Sequence, residues 1–166
     1  MQQDQRAFTI IELIIAIAVL SFGVVLVYGA FFSIINSTFS LSSRYTAIYL
    51  GQEGLEIVKN ITANNVLNSF SWDAGLSGNP CQVGCMVDYK TQTNNQIVSY
   101  NNDFLGLDSD NFYSINGSVP TIFQRKITIN PVNGNSDILN VSVEVFWIYS
   151  GKSFTYKVTE YLYNWQ

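Results

Sequence analysis

Hydrophobic and polar positions follow three different patterns along this chain, and each predicts a different element. Residues 8–32 form an apolar run of 25 residues in which Glu12 is the only charge, and no second charge enters before residue 36. As a helix the run is roughly 37 Å long, enough to cross about 30 Å of hydrocarbon. Leu, Ile, Val, Ala and Phe fall on every face of it, and a helix apolar all round is buried in lipid or protein. From about residue 36 to 62 the pattern turns amphipathic. Leu41, Tyr45, Ile48, Leu55 and Val58 recur at three-, four- and seven-residue spacings, while Arg44, Glu53, Glu56 and Lys59 take other faces. Joined, the two segments predict one helix of about 50 residues, its first half outside a globular domain and its second half in that domain's core. Gly51 and Gly54, three apart within the pattern, favour close helix–sheet packing over a hinge.

Residues 62–85 are rich in Asn, Ser and Gly and read as loop. A two-residue period follows. MVDYK (86–90) and QIVSY (96–100) flank TQTNN as a hairpin, and TIFQRKITI (121–129) alternates imperfectly around Arg125 and Lys126. In DILNVSVEVFWIY (137–149), Leu139, Val141, Val143, Val145 and Trp147 share one side; SFTYKVTEYLY (153–163) follows across a short SGK link. The expected fold is α+β: one long N-terminal helix whose amphipathic half packs against a C-terminal antiparallel sheet.

Composition narrows the function. A net charge of −4 offers no basic surface, so direct nucleic-acid binding is disfavoured. The chain has no histidine, which removes the commonest general base and zinc ligand together with any Ser-His-Asp arrangement. No cofactor is implied, and an enzyme is not expected.

Glu12 is the position that needs a reason. An isolated carboxylate in a membrane helix costs on the order of 2.5–3.5 kcal/mol. A cleaved secretory signal does not account for it, because the run is too long and the best later small-residue site, Tyr28-Gly29-Ala30, begins with a bulky side chain. Cleavage between Ala7 and Phe8 would supply a partner: a new α-amino group at Phe8, one turn from Glu12 in the same chain and available to Glu12 of a neighbouring copy. The charges would then neutralise each other where unpaired ones are costly.

The stretch AFTIIELIIAIAVL resembles the N-terminal signature of type IV pilins and pseudopilins. Ala7, Phe8, Thr9 and Glu12 carry the likeness, with a short hydrophilic leader before them and the aliphatic run after. The resemblance implies that a prepilin peptidase/methyltransferase removes residues 1–7 on the cytoplasmic face and N-methylates Phe8. Glu12 then guides the subunit into a helical fibre. The chain departs from the family pattern in having Ala7 where Gly is usual, Arg6 as the sole basic leader residue, and no proline in the helix. The expected organisation is a leader over 1–7, a transmembrane and fibre-core helix over 8–35, an amphipathic helix over 36–62 and a β-rich domain over 63–166. Its expected partners are copies of itself or other pilins, the processing enzyme, an inner-membrane assembly platform, and membrane lipid before assembly. The subunit is expected first as a single-pass inner-membrane protein, then in a cell-surface pilus-like or periplasmic secretion-type fibre.

Other candidates are weaker. Outside the cytoplasm, Cys81 and Cys85 in NPCQVGC favour a small disulfide ring over two free thiols; with no other Cys and no His, they make no zinc site. Asp108 and Asp110 in LGLDSDNFYS have the spacing of calcium ligands, but Phe112 breaks the EF-hand pattern and a turn is the expected reading. Asn-x-Ser/Thr triplets at Asn36, Asn60, Asn116 and Asn140 are as expected by chance in this composition. Phe70, Trp72 and Trp165 are candidate contact aromatics. Two other function classes remain open: a monomeric signal-anchored extracytoplasmic binding module, and a membrane-tethered hydrolase using acids such as Asp108, Asp110 and Glu144.

Overall fold

The computed structural model describes residues 9–165, save the side chain of Asn94. One helix, α1, runs over Ile10–Leu67. The rest is strands: β1 (Cys85–Met86), β2 (Val98–Ser99), β3 (Gly106–Leu107), β4 (Tyr113–Ser114), β5 (Val119–Pro120), β6 (Phe123–Val132), β7 (Asn135–Tyr149) and β8 (Lys152–Tyr163). The fold is α+β, a long N-terminal helix packed against a C-terminal antiparallel sheet. The chain divides into two compact units, Met1–Ser42 and Ser43–Gln166. In the first, the described residues are helix from Ile10 onward and none is buried.

In the second unit, Ala47, Leu50, Gly51, Gly54, Leu55, Ile57, Val58 and Ile61 make the buried stripe of α1, at the spacing that brings one helix face to a sheet. The sheet has the order β2-β1-β6-β7-β8. Its inner face carries Leu139, Val141, Val143, Val145 and Trp147 of β7, all buried, the side that alternation in the sequence assigns to the core. Gly51 and Gly54 mark the closest approach. A Cβ on Gly51 would stand 2.8 Å from Tyr156 Cε1, and one on Gly54 3.0 Å from Val143 Cγ1.

The imperfect alternation of β6 has a physical cause. Phe123, Arg125, Ile127 and Ile129 all face the core, so an arginine occupies an apolar position. Arg125 is 1 % exposed. Its Nη1 donates to the Leu50 carbonyl at 3.1 Å and to Glu53 Oε2 at 2.8 Å, and its Nη2 donates to the Val87 carbonyl at 2.6 Å. One guanidinium therefore ties α1, β6 and the segment after β1 together.

Two expectations are corrected, and one feature is new. The helix does not end near residue 62 but continues to Leu67. Asn65, a poor helix former, is retained because its buried side chain donates to the carbonyls of Trp72 and Ala74. The helix closes in a Schellman arrangement: Phe70 N–H bonds Asn65 O, Ser69 N–H bonds Val66 O, and Ser69 takes φ 61°. The strands expected at 86–90 and 96–100 shrink to two residues each. Asp88, also buried, turns the chain there: its carboxylate accepts Ser114 Oγ at 2.7 Å, Ile115 N–H at 3.2 Å and Lys90 N–H at 3.1 Å. A second small sheet, β4-β3-β5, was not foreseen. Both long hairpins turn on two residues of positive φ, Asn133-Gly134 and Ser150-Gly151, the geometry that suits the twist of paired strands.

Cys81 and Cys85 form a disulfide, and both are buried. The Cys81 carbonyl accepts Ile129 N–H at 2.9 Å, and Cys85 pairs with Ile127, so the ring fastens the loop to β6. Replacing both cysteines by serine should lower stability by about 2 kcal/mol through loop entropy, read by denaturant melts with and without reductant. Gly54→Leu should cost about 1–3 kcal/mol by overpacking against β7. Gly23→Leu, with nothing within 4 Å of its Cβ position, should leave the melt of the domain unchanged.

Candidate assembly site

The apolar stem begins where Thr9 O accepts the amides of Glu12 and Leu13 at 3.1 and 3.2 Å, closing the first turn. Ala7 and Phe8, the expected processing and methylation residues, lie outside the described residues. Glu12 is in the first turn and exposed. The helix dipole favours an acid there by about 0.3–1 kcal/mol, less than the roughly 2.5–3.5 kcal/mol that lipid charges for it at depth. The dipole therefore does not account for the residue. No Lys or Arg lies between Glu12 and Arg44, so this part of the chain holds no countercharge.

Everything else along the stem suits an apolar surrounding. From Ile10 to Ile35 the large side chains, Phe22, Leu26, Phe31 and Ile34 among them, are exposed. Two of its hydroxyls bond their own helix: Ser21 Oγ donates to the Ile17 carbonyl at 2.7 Å and Thr38 Oγ1 to the Ile34 carbonyl at 2.9 Å. Hydroxyls bonded to their own helix can enter lipid or a helix bundle without stranding a donor. The helix is long and apolar enough to cross a membrane.

The second candidate, the Asp108 loop, is a knot of donors around one carboxylate. Oδ1 accepts the amides of Asp110 at 3.0 Å and Phe112 at 3.1 Å; Oδ2 accepts the Tyr89 hydroxyl and pairs with Lys90 Nζ at 2.9 Å. The Tyr89 hydrogen bond, then Lys90, holds the Asp108 carboxyl well below the usual carboxylate range. The same contact with Asp108 raises Lys90 and Tyr89. Asp110 is brought to Asp108 through its amide. No group of three or more His, Cys, Asp or Glu among the described residues could hold a metal. Of the acids weighed for hydrolysis, Glu144 is paired with Lys157 at 2.8 Å on β7 and β8, away from the short strands that flank Asp108.

Among the candidate contact aromatics, Phe70 and Trp165 are exposed, whereas Trp72 belongs to the core. Sequence reasoning missed Arg125 and Asp88. The signal for Arg125 was the break in β6 alternation itself. For Asp88 it was a turn-forming Asp with Thr three residues on, whose hydroxyl accepts the Asp88 amide at 3.0 Å.

A family model described as the prokaryotic N-terminal methylation motif matches residues 2–28, the signature of type IV pilins and pseudopilins. The matched segment contains Ala7, Phe8 and Glu12. No curated protein and no solved structure matches the chain. Motif and apolar stem together fit a type IV pilin-like precursor that is anchored in a membrane before assembly.

Because Asp108 is depressed in the folded domain, its contribution is complete above its unfolded value of about 3.9 and is lost as pH falls through the lower folded value. A carboxyl-carbon NMR titration should place its midpoint below that of a free aspartate. Lys90→Met should move the midpoint back up; a midpoint unchanged in that variant contradicts the pairing.

Proposed function

We propose that this chain is a structural subunit of an extracytoplasmic fibre, of the type IV pilus or type II secretion pseudopilus kind, assembled without catalysis through its N-terminal helix. Prepilin peptidase cuts between Ala7 and Phe8, and Phe8 is N-methylated. Residues 8–35 hold the subunit in the inner membrane, and an assembly platform draws it into a helical stack of copies or related pilins. The observation that carries this reading is the uncovered apolar stem with a single acid, Glu12, in its first turn, inside the matched motif.

The mechanism is transfer of the stem from lipid to a bundle of stems. Apolar area stays buried throughout, so the move gains little from hydrophobic burial itself. What changes is the charge. In lipid Glu12 has only the amine of its own chain within reach, one turn away. In the stack it meets the amine of the neighbour, and that pairing sets the axial register. The globular domain covers the fibre and determines what it touches.

The protein isolated from its host should have the mass of a chain beginning with N-methyl-phenylalanine at position 8; assembled material that begins at Met1 contradicts the proposal. Glu12→Gln should be processed as the wild type is, yet enter sheared fibres at least about tenfold less, since losing a desolvated charge pair costs more than the 1.4 kcal/mol that a factor of ten represents.

A further inference from the structure

The two edges of the main sheet differ. At one edge β2 is only two residues long. At the other, β8 pairs with β7 over twelve consecutive positions, from Tyr149↔Lys152 to Ile138↔Tyr163, without a register shift, and contains no proline. Natural sheets shorten, bulge or interrupt their edges because an open one recruits another strand. Of the charges on β8, Lys152 stands at its start, Lys157 is drawn onto Glu144 at 2.8 Å, and the inward Glu160 is drawn onto Lys59 at 2.9 Å.

Backbone polarity follows from the turn. Tyr149 and Lys152 flank a two-residue turn, so they form a hydrogen-bonded pair, and such pairs alternate along an antiparallel ladder. Even-numbered residues of β8 therefore bond β7; Asn164 N–H, continuing the series, reaches the Asp137 carbonyl at 2.9 Å. Thr159, Tyr161 and Tyr163 turn their N–H and C=O groups to the open edge.

Beside those groups lies a cavity of about 960 Å³ between the end of α1 and the end of β8. Lys59, Thr62, Ala63, Val66 and Leu67 form its helix wall, and Lys59 Nζ pairs with Glu160 of the strand at 2.9 Å at one end of it. On the strand side it is lined by every residue from 160 to 165. Residues of both parities line it, so the groove follows the strand's edge and not one face. It is also continuous with the helix–sheet interface, since Trp72 at its floor belongs to the core and Leu162 packs against it. The groove thus lies between the end of α1 and the end of the last strand, beside that strand's open edge.

We propose that this edge and groove bind an extended segment of another polypeptide, apolar at alternate positions, as an added strand on β8. Its backbone pairs with Thr159, Tyr161 and Tyr163, and its inward side chains rest on Ala63 and Val66. A lipid chain would cover the apolar wall but leave the outward amides and carbonyls unpaired; a strand satisfies both. The inference concerns the second unit alone and stands whether or not the fibre reading holds.

The full chain in lipid nanodiscs is challenged with a displayed library of random peptides of about nine residues, near the span of a long strand, with empty nanodiscs subtracted. Enriched peptides should alternate apolar and polar residues. Tyr161→Pro removes an outward amide without touching the ladder and should weaken a synthesised winner by at least about tenfold more than Tyr161→Ala, which loses the side chain and keeps the amide. Ala63→Trp, at an exposed position that fills the groove, should weaken it similarly and guards against misfolding of the proline variant. Four results overturn the proposal: no enrichment above empty nanodiscs, winners without alternation, equal binding to Tyr161→Pro and Tyr161→Ala, or a groove occupied instead by lipid or by β8 of a second copy.

Discussion

The first constraint on this protein is that nothing among the described residues covers the apolar stem. Eighteen large apolar side chains between Ile10 and Ile35 are exposed. At about 1.5–3 kcal/mol for each fully buried side chain, leaving them in water costs tens of kcal/mol. Glu12 adds only a few kcal/mol on the other side of that balance. The acid therefore does not decide whether the stem is covered; in the proposed fibre it decides what covers it. Lipid and neighbouring stems serve the apolar surface about equally well, and only a surrounding that brings a cation also serves the carboxylate.

The domain depends on a different charge. Arg125 stands where β6 should present an apolar side chain, and its guanidinium collects carbonyls from α1 and from the segment after β1 together with the Glu53 carboxylate. Burying such a group is not by itself stabilising. It does, however, join three elements that are distant in sequence through one side chain, and the disulfide fastens the 81–85 loop to the same strand. The helix's C-terminal half is thereby held to the sheet by polar ties and by glycine-mediated close packing, not by apolar contact alone.

Periodicity made the large elements legible. The apolar run and the amphipathic stripe predict α1, and strict alternation identifies the buried side of β7. What escaped is what periodicity does not encode. Residues 63–67 look like loop because Asn64 and Asn65 are poor helix formers, yet the side chain of Asn65 repays its place by capping the carbonyls of the following loop. Asp88 ends a strand early by gathering donors from residues up to 27 positions away, a contact no local window contains. The small β4-β3-β5 sheet has two-residue strands, too short for any alternation to register. Of the candidate assembly site, Ala7, Phe8 and Glu12 were readable as a motif, because a motif is local in sequence. The β8 edge and its groove were not, because they arise only when helix and sheet are laid together.

The most direct test of the central claim is a distance in the assembled state. Fibres are grown from a mixture of two populations, one carrying ¹³C in glutamate and the other ¹⁵N in phenylalanine, so that any close contact between the labels crosses from one copy to another. Solid-state NMR should then detect the Glu12 carboxyl carbon near the Phe8 amine, at the ion-pair spacing of about 4 Å or a little more. A fibre that assembles normally without that contact between copies would contradict the account.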